Sequence, residues 1–234
     1  MDRRNYLKVG GAALGTGLFA GCIGGDGDNS GGSRGGNGTA GDTGGSGFGS
    51  HPSTADISSR PKLGSSDATA SIVAFEDPSC PRCKQFNLGP FKKIKNNLID
   101  EGKVEYYMRV IPVVYDWGKP ACECLETTYQ SNKKDFWGLE KHYFENQLGS
   151  GGSTEKLYSM TKSYLQDNTD LDAEKIVKQS KNRKYHDRIQ DNLNAADVAG
   201  VQGTPTFFLF KNEEYLTKVS GPQSYSVFKN SLNL

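Results

Sequence analysis

The stretch ASIVAFEDPSCPRC, residues 70–83, decides how the rest of the chain is read. ATASIVAF (68–75) is short, apolar and rich in β-branched residues, so it predicts a buried strand. Directly after it stand Cys80 and Cys83, two residues apart. Such a pair is a redox couple, half of a zinc site or an incidental pairing, and spacing alone does not choose. CPRC opens a helix predicted over about 81–99. Pro81 suits the first helical turn, where its missing N–H would have no intrahelical partner. Phe91, Ile94 and Leu98 share one face of that helix, and Pro90 is expected to kink it.

The chain has 234 residues, 35% of them apolar, which suits one ordinary domain with room for an insertion. Its 28 basic residues balance 27 acidic ones, so composition offers no case for nucleic-acid binding. Most of the 29 glycines lie before residue 50, leaving an ordinary globular part behind them.

The N-terminus reads MDRRNYLKVGGAALGTGLFAGC. Its apolar run is too short and too glycine-rich to span a bilayer. RRNYLK (3–8) resembles a twin-arginine export signal. FAGC (19–22) resembles a lipobox, with Phe19 where leucine is usual. A signal peptide over 1–21 and lipidation of Cys22 are therefore expected. The competing interpretation is an ordinary signal peptide with a chance cysteine. Residues 22–60 are expected to form a disordered Gly/Ser-rich tether, with His51 a polar linker residue. A flexible chain of that length spans on the order of 35 Å. One lipid chain alone binds only marginally, so firm anchoring needs a second chain or contact. Such an anchor places the domain outside the cytoplasm at the cell surface, where disulfides persist.

Beyond Pro61, KVEYYMRVIPVV (103–114) predicts a second strand. Helices are predicted at 120–131, 134–147, 154–167, from about 172, and at 182–198. GTPTFFLF (203–210) and YLTKVS (215–220) predict two more strands, and QSYSVFKNSL (223–232) a final helix.

The order β, α, β, helices, β, β, α resembles an α/β thioredoxin-like fold with an inserted all-helical domain. In particular it resembles the DsbA-like thiol–disulfide oxidoreductases over about 61–234. Two motifs carry the likeness: CPRC, and VQGTPTFF (201–208), where that family keeps a cis Thr-Pro bond. The resemblance implies a thioredoxin-like domain from 61–117 and 199–234, with a helical insertion at 118–198. It implies Cys80 as an exposed nucleophile and Cys83, one turn on, as the resolving thiol. Pro81, Arg82, Thr204 and Pro205 would support them. The partners it implies are cysteine-containing exported proteins and a membrane redox partner that recycles the pair. No cofactor, metal or nucleic acid is called for.

Physical chemistry agrees with these roles. A helix N-terminus favours negative charge, and thiolate rather than thiol is the nucleophile. Arg82 would add a positive charge. In the family a carboxylate often stands six residues before the nucleophile, where this chain has Ala74. Glu76 lies two residues on, on the same strand face. It either substitutes or is a solvated strand-end residue. Asp77 matches a frequent acidic position and reads as a turn or cap residue. Arg82 replaces a frequent histidine and cannot act as acid or base.

Cys122 and Cys124 leave three interpretations open: buried small apolar residues, a redox-accessible thiol near the main site, or a strained disulfide or metal site in a non-helical turn. Three competing functions are a disulfide isomerase or reductase, a non-enzymatic thioredoxin-fold module, and a zinc-binding lipoprotein using the thiolates of CPRC and CEC, or these joined by His142 or His186. Both histidines read as surface residues. Tyr115 and Trp117 line a groove rim or pack in the core.

Overall fold

The computed structural model describes residues 47–234; the expected signal peptide, Cys22 and the tether up to residue 46 lie outside these residues. A five-stranded sheet forms the centre, in the order β1-β3-β2-β4-β5. Its strands are β1 (Lys62–Leu63), β2 (Ala70–Glu76), β3 (Val104–Val110), β4 (Thr206–Lys211) and β5 (Glu214–Ser220). β2 runs parallel to β3, with Ala70 opposite Val104 and Glu76 opposite Val110. It runs antiparallel to β4, with Ala70 opposite Lys211 and Phe75 opposite Thr206.

This central position explains the apolar run at residues 70–75. β2 is covered on both faces, so it has no polar side. Ile72 and Ala74 join the larger core, while Val73 and Phe75 face the smaller one with Phe208 and Phe210.

Eight helices follow in the described residues: α1 (Pro81–Leu88), α2 (Pro90–Ile94), α3 (Gly118–Ser131), α4 (Lys133–Glu145), α5 (Thr154–Asn168), α6 (Ala173–Lys181), α7 (His186–Val198) and α8 (Tyr225–Ser231). The fold is the expected thioredoxin-like one, with α3 to α7 inserted between β3 and β4. The single helix expected over 81–99 is divided. Proline lacks an N–H and clashes with the preceding turn, so the chain leaves the helix at Gly89 (φ −117°, ψ −99°) and Pro90 starts a new one. Residues Lys95–Ile99 then close it as a π-helical turn.

The expected tether is corrected over its last part. Residues 47–60 fold onto the sheet. Gly47 bridges to Glu214 at the sheet edge. The Phe48 ring meets Phe210 edge-on at 5.1 Å. His51 is buried rather than a solvated linker residue, and its ring packs on Phe208 and Tyr215. Arg109 of β3 is buried, and its guanidinium donates to the carbonyls of Ser53 and Ala55 and to Asn192 of α7. Arg60 is buried as well. A few anchoring side chains thus outweigh a linker-like composition.

Candidate active site

The site lies at the C-terminal end of β2. Glu76 is the last strand residue, and Asp77, Pro78 and Ser79 lead to Cys80, the N-cap of α1. Asp77 organises this loop. Its carboxylate accepts from the Ser79 N–H and hydroxyl at 2.7 and 2.6 Å. It also accepts from the N–H groups of Val113 and Val114 at 2.7 and 2.8 Å, which ties the segment after β3 to the site. Burial pushes its pKa up, against those donors. The inserted helices add a clamp: the Gln147 amide donates to the carbonyls of Pro78 and Cys80 at 2.8 and 2.9 Å. Gly118 has to be small, since a β-carbon there would stand 2.8 Å from the Ser79 hydroxyl.

Cys80 sits against the second motif. Its Sγ donates to the Thr204 carbonyl at 3.4 Å. The Thr204–Pro205 bond is cis, and the Pro205 carbonyl accepts from the Gly221 N–H at 2.8 Å. The Thr204 hydroxyl is buried without a partner. Hydrogen bonding from Cys83, then from Thr204 and the N–H groups of Cys83 and Arg82, draws Cys80 down to about 6 against its desolvation. Burial, then the bond to Cys80, pushes Cys83 well above the ordinary thiol value. One thiol is therefore acidic and its partner, one turn along, is held protonated.

One expectation changes here. Cys80 is only 4% exposed, a sulfur reached from a cleft rather than displayed on the surface. The Arg82 guanidinium lies over Gly221, where a β-carbon would be 2.3 Å from it, and Arg82 helps Cys80 through its backbone N–H.

Glu76 is also corrected: it is fully buried, not solvated. Its Oε1 accepts from the Tyr106 hydroxyl at 2.7 Å and its Oε2 from the Asn87 amide at 2.6 Å. Burial raises it to about 8, with the Tyr106 and Asn87 bonds opposing and the Cys80 charge adding. The Cys83 thiol, beside it, is the smallest of the influences that lower it. The carboxyl absent at Ala74 thus stands one strand pair further along, on the same face.

The other sequence candidates fall outside the site. Cys122 and Cys124 lie in regular helix α3, fully buried and unbonded. Burial raises both, Cys124 to about 11, beside the hydroxyls of Ser180, Tyr143 and Thr161. They are small core residues, not redox-accessible thiols or a strained pair. Trp117 is core, its indole N–H donating to the Gly149 carbonyl at 2.8 Å, and Tyr115 is half-buried against the same core. His142 stacks on Tyr164, and His186 is no free surface residue, lying 2.8 Å from Glu123. Among the described residues, no group of three or more His, Cys, Asp or Glu is placed to hold a metal ion.

Beside Cys80 runs a cleft of about 520 Å³, lined by Ile111, Val113, Val114, Ala196, Val201 and Thr204 among others. Val113 and Val114 are 51% and 40% exposed, an apolar lip next to the sulfur. Reasoning from sequence missed Gln147, Tyr106 and Asn87. Only Asn87 left a signal, four residues after Cys83 and so on its helical face.

Comparison with known proteins agrees with this fold. The thioredoxin family model (Thioredoxin_4) matches residues 58–233. The chain is similar to the probable disulfide bond formation protein D of Bacillus cereus, 25% identical over 66% of this chain and 72% of that protein. It is 26% identical to the disulfide bond formation protein D of Bacillus subtilis over 65% of this chain and 68% of that one. Its fold is similar to the crystal structure of oxidised BdbD from Bacillus subtilis, with a TM-score of 0.65 and 21% identity, covering 76% of this chain and 95% of that one.

Proposed function

The chain belongs to the thioredoxin family, and from that premise we propose that it is a thiol–disulfide oxidoreductase that forms disulfides in exported proteins, held to the membrane by a lipid on Cys22. The observation that carries the chemistry is the meeting of an acidic Cys80 with the Thr204–Pro205 loop, above a buried Cys83.

The residues divide the work as follows. A substrate thiolate enters along the Val113–Val114 lip and attacks the Cys80 sulfur of a Cys80–Cys83 disulfide. The disulfide breaks, its electron pair passing to Cys83, and protonated Glu76 gives its proton to the Cys83 sulfur. A second substrate thiolate then attacks the substrate sulfur of the mixed disulfide, and Cys80 leaves as thiolate. The low Cys80 pKa makes it a good leaving group. Backbone groups of the Gly203–Thr204 segment are suited to pairing with an extended substrate without reading its sequence. Pro81 opens α1, and Arg82 braces the turn that holds Pro205. A membrane redox partner would re-oxidise the pair.

Oxidation is favoured over isomerisation or reduction because stabilised thiolate favours the dithiol form, and so raises the oxidising power. The names of the two Bacillus relatives point the same way. The export and anchoring signals at RRNYLK and FAGC support an extracytoplasmic site of action. No helix among the described residues is long and apolar enough to cross a membrane. The decisive measurement is the reduction potential of the Cys80–Cys83 couple, together with trapping in a Cys83→Ala variant. Oxidising potential and mixed disulfides with exported proteins are expected. A strongly reducing potential would favour the reductase alternative. Cys22→Ser should release the protein from the membrane fraction.

A further inference from the structure

Glu76 is not the only buried carboxyl on the Cys83 side of the sheet. The second is Glu140 on α4, 4% exposed, with its Oε1 buried and unpartnered. It shares its helix face with Phe136 and Trp137, one turn before it. The Trp137 ring lies 6.3 Å from that of Tyr106, and Tyr106 donates its hydroxyl to Glu76. The titratable groups facing Glu140 are Glu76 of β2 and Tyr106 of β3, with Cys83 of α1 behind them. The cations nearby are turned away. Lys141 is exposed, its ammonium 2.7 Å from Glu145, and Lys84 of α1 donates to the Glu145 carbonyl.

A buried carboxyl without cation or donor is held uncharged, because charge would be left unsolvated. Burial first, then the facing Glu76, keeps Glu140 protonated well above the usual carboxylate range. Exposure is graded along the row: Cys83 and Glu76 are both 0% exposed, and Glu140 is 4%. Glu76 presents no surface to solvent.

We propose that Glu140 is the outer station of a proton path, passing protons between solvent and Glu76 in service of Cys83. The proposal rests on the thiol–disulfide chemistry above. When the disulfide opens, the proton of Glu76 moves to the Cys83 sulfur and leaves Glu76 as carboxylate. Glu140 passes its own proton to Glu76, with the Tyr106 hydroxyl beside the transfer, and takes one from water. The reverse sequence releases the proton when the pair is re-oxidised. No electrons pass through the carboxyls. Glu140 is thus a positioning and relay residue that never touches the substrate.

The test compares wild type, Glu140→Gln, Glu140→Asp and Glu76→Gln. Opening of the oxidised protein by a reduced dithiol peptide is followed by stopped flow in H₂O and D₂O across pH. Redox-difference infrared spectra report protonated carboxyls. Loss of acid–base transfer should slow opening in Glu140→Gln by about tenfold or more, with an enlarged solvent isotope effect. Its reduction potential should hold, and Glu140→Asp should restore most of the rate. One carboxyl band should vanish in each Gln variant. Unchanged rate and isotope effect in Glu140→Gln, beside an impaired Glu76→Gln, would overturn the relay and leave the enzyme's function standing. Should Glu140→Gln fail to fold, a wild-type spectrum showing only one redox-linked protonated carboxyl would overturn it equally. A wild type that exchanges no disulfide would instead count against the functional reading.

Discussion

The sulfur of Cys80 lies 3.4 Å from the carbonyl oxygen of Thr204, 124 residues further along the chain. A carbonyl accepts from a thiol and repels a thiolate. The contact therefore suits the neutral form, and ionisation has to be supported by other groups. These are the Cys83 thiol, the Thr204 hydroxyl and the first N–H groups of α1. The unpartnered Thr204 hydroxyl is free to make that bond. Thr204→Val is isosteric and removes it. It should raise the Cys80 pKa from about 6 by about one pH unit, since a hydrogen bond to a charged group contributes about 1.5–3 kcal/mol. Ultraviolet absorbance of the thiolate, titrated in wild type and variant, measures this; an unchanged titration would remove Thr204 from the account.

The depressed Cys80 pKa makes the redox states respond differently to pH. Folding lowers this group from 9.0 to about 6, so it stabilises the reduced protein above pH 9, and that stability is lost as pH falls through 6. The oxidised protein has no such thiolate. The stability of reduced relative to oxidised protein should therefore rise between about pH 6 and 9. Denaturant unfolding of both forms across this range tests the sign. Alkylation of Cys80 should follow the same titration, and Cys83 should react far more slowly.

Glu76 works in the opposite direction. Its pKa rises from 4.5 to about 8 on folding, so its contribution is complete below 4.5 and is lost as pH climbs through 8. Stability should fall across that window by up to roughly 1.4 kcal/mol per pH unit. Glu76→Gln should flatten this dependence. Glu76→Ala leaves the Tyr106 hydroxyl and Asn87 amide buried without an acceptor, and should destabilise by about 2–4 kcal/mol. The difference in unfolding free energy between wild type and Glu76→Gln, measured at several pH values, is the check.

Asp77 orders the nucleophile loop with two hydrogen bonds and ties it to the segment after β3 with two more. Asp77→Ala should cost about 3 kcal/mol, because several buried donors lose their acceptor together. The Val113–Val114 lip would loosen with it. Peptide oxidation should then show a raised KM, and hydrogen exchange at Val113 and Val114 should speed up. Unchanged exchange at those two amides would contradict the assigned role.

Residues 47–60 should prove part of the folded unit. Phe48→Ala removes a ring packed on Phe210 and Tyr107 and should destabilise by about 2–3 kcal/mol. A chain starting at Pro61 would uncover Phe210 and strand the Arg109 guanidinium without the Ser53 and Ala55 carbonyls. Its midpoint of thermal unfolding should fall well below that of a chain starting at residue 42. Equal midpoints would return this segment to the tether.

Much of this protein is legible in local pattern. The apolar run of β2, CPRC after it, the periodic helices and the Thr-Pro before a strand are each short-range, so strand, helix start and fold class follow from neighbours in the chain. Glu76 is the instructive case. Strand alternation puts it on the face of Ala74, but whether that end of β2 meets water depends on Tyr106, 30 residues on, and Asn87 of the helix above it. The same holds for Arg82, whose guanidinium packs over Gly221 of a distant turn, and for Phe48 and His51, which look like linker until the sheet edge receives them. Burial and proton affinity are set by atoms that only the folded chain brings together. Residue type and spacing therefore named the two sulfurs, and long-range packing decided how acidic each is and which carboxyls serve them.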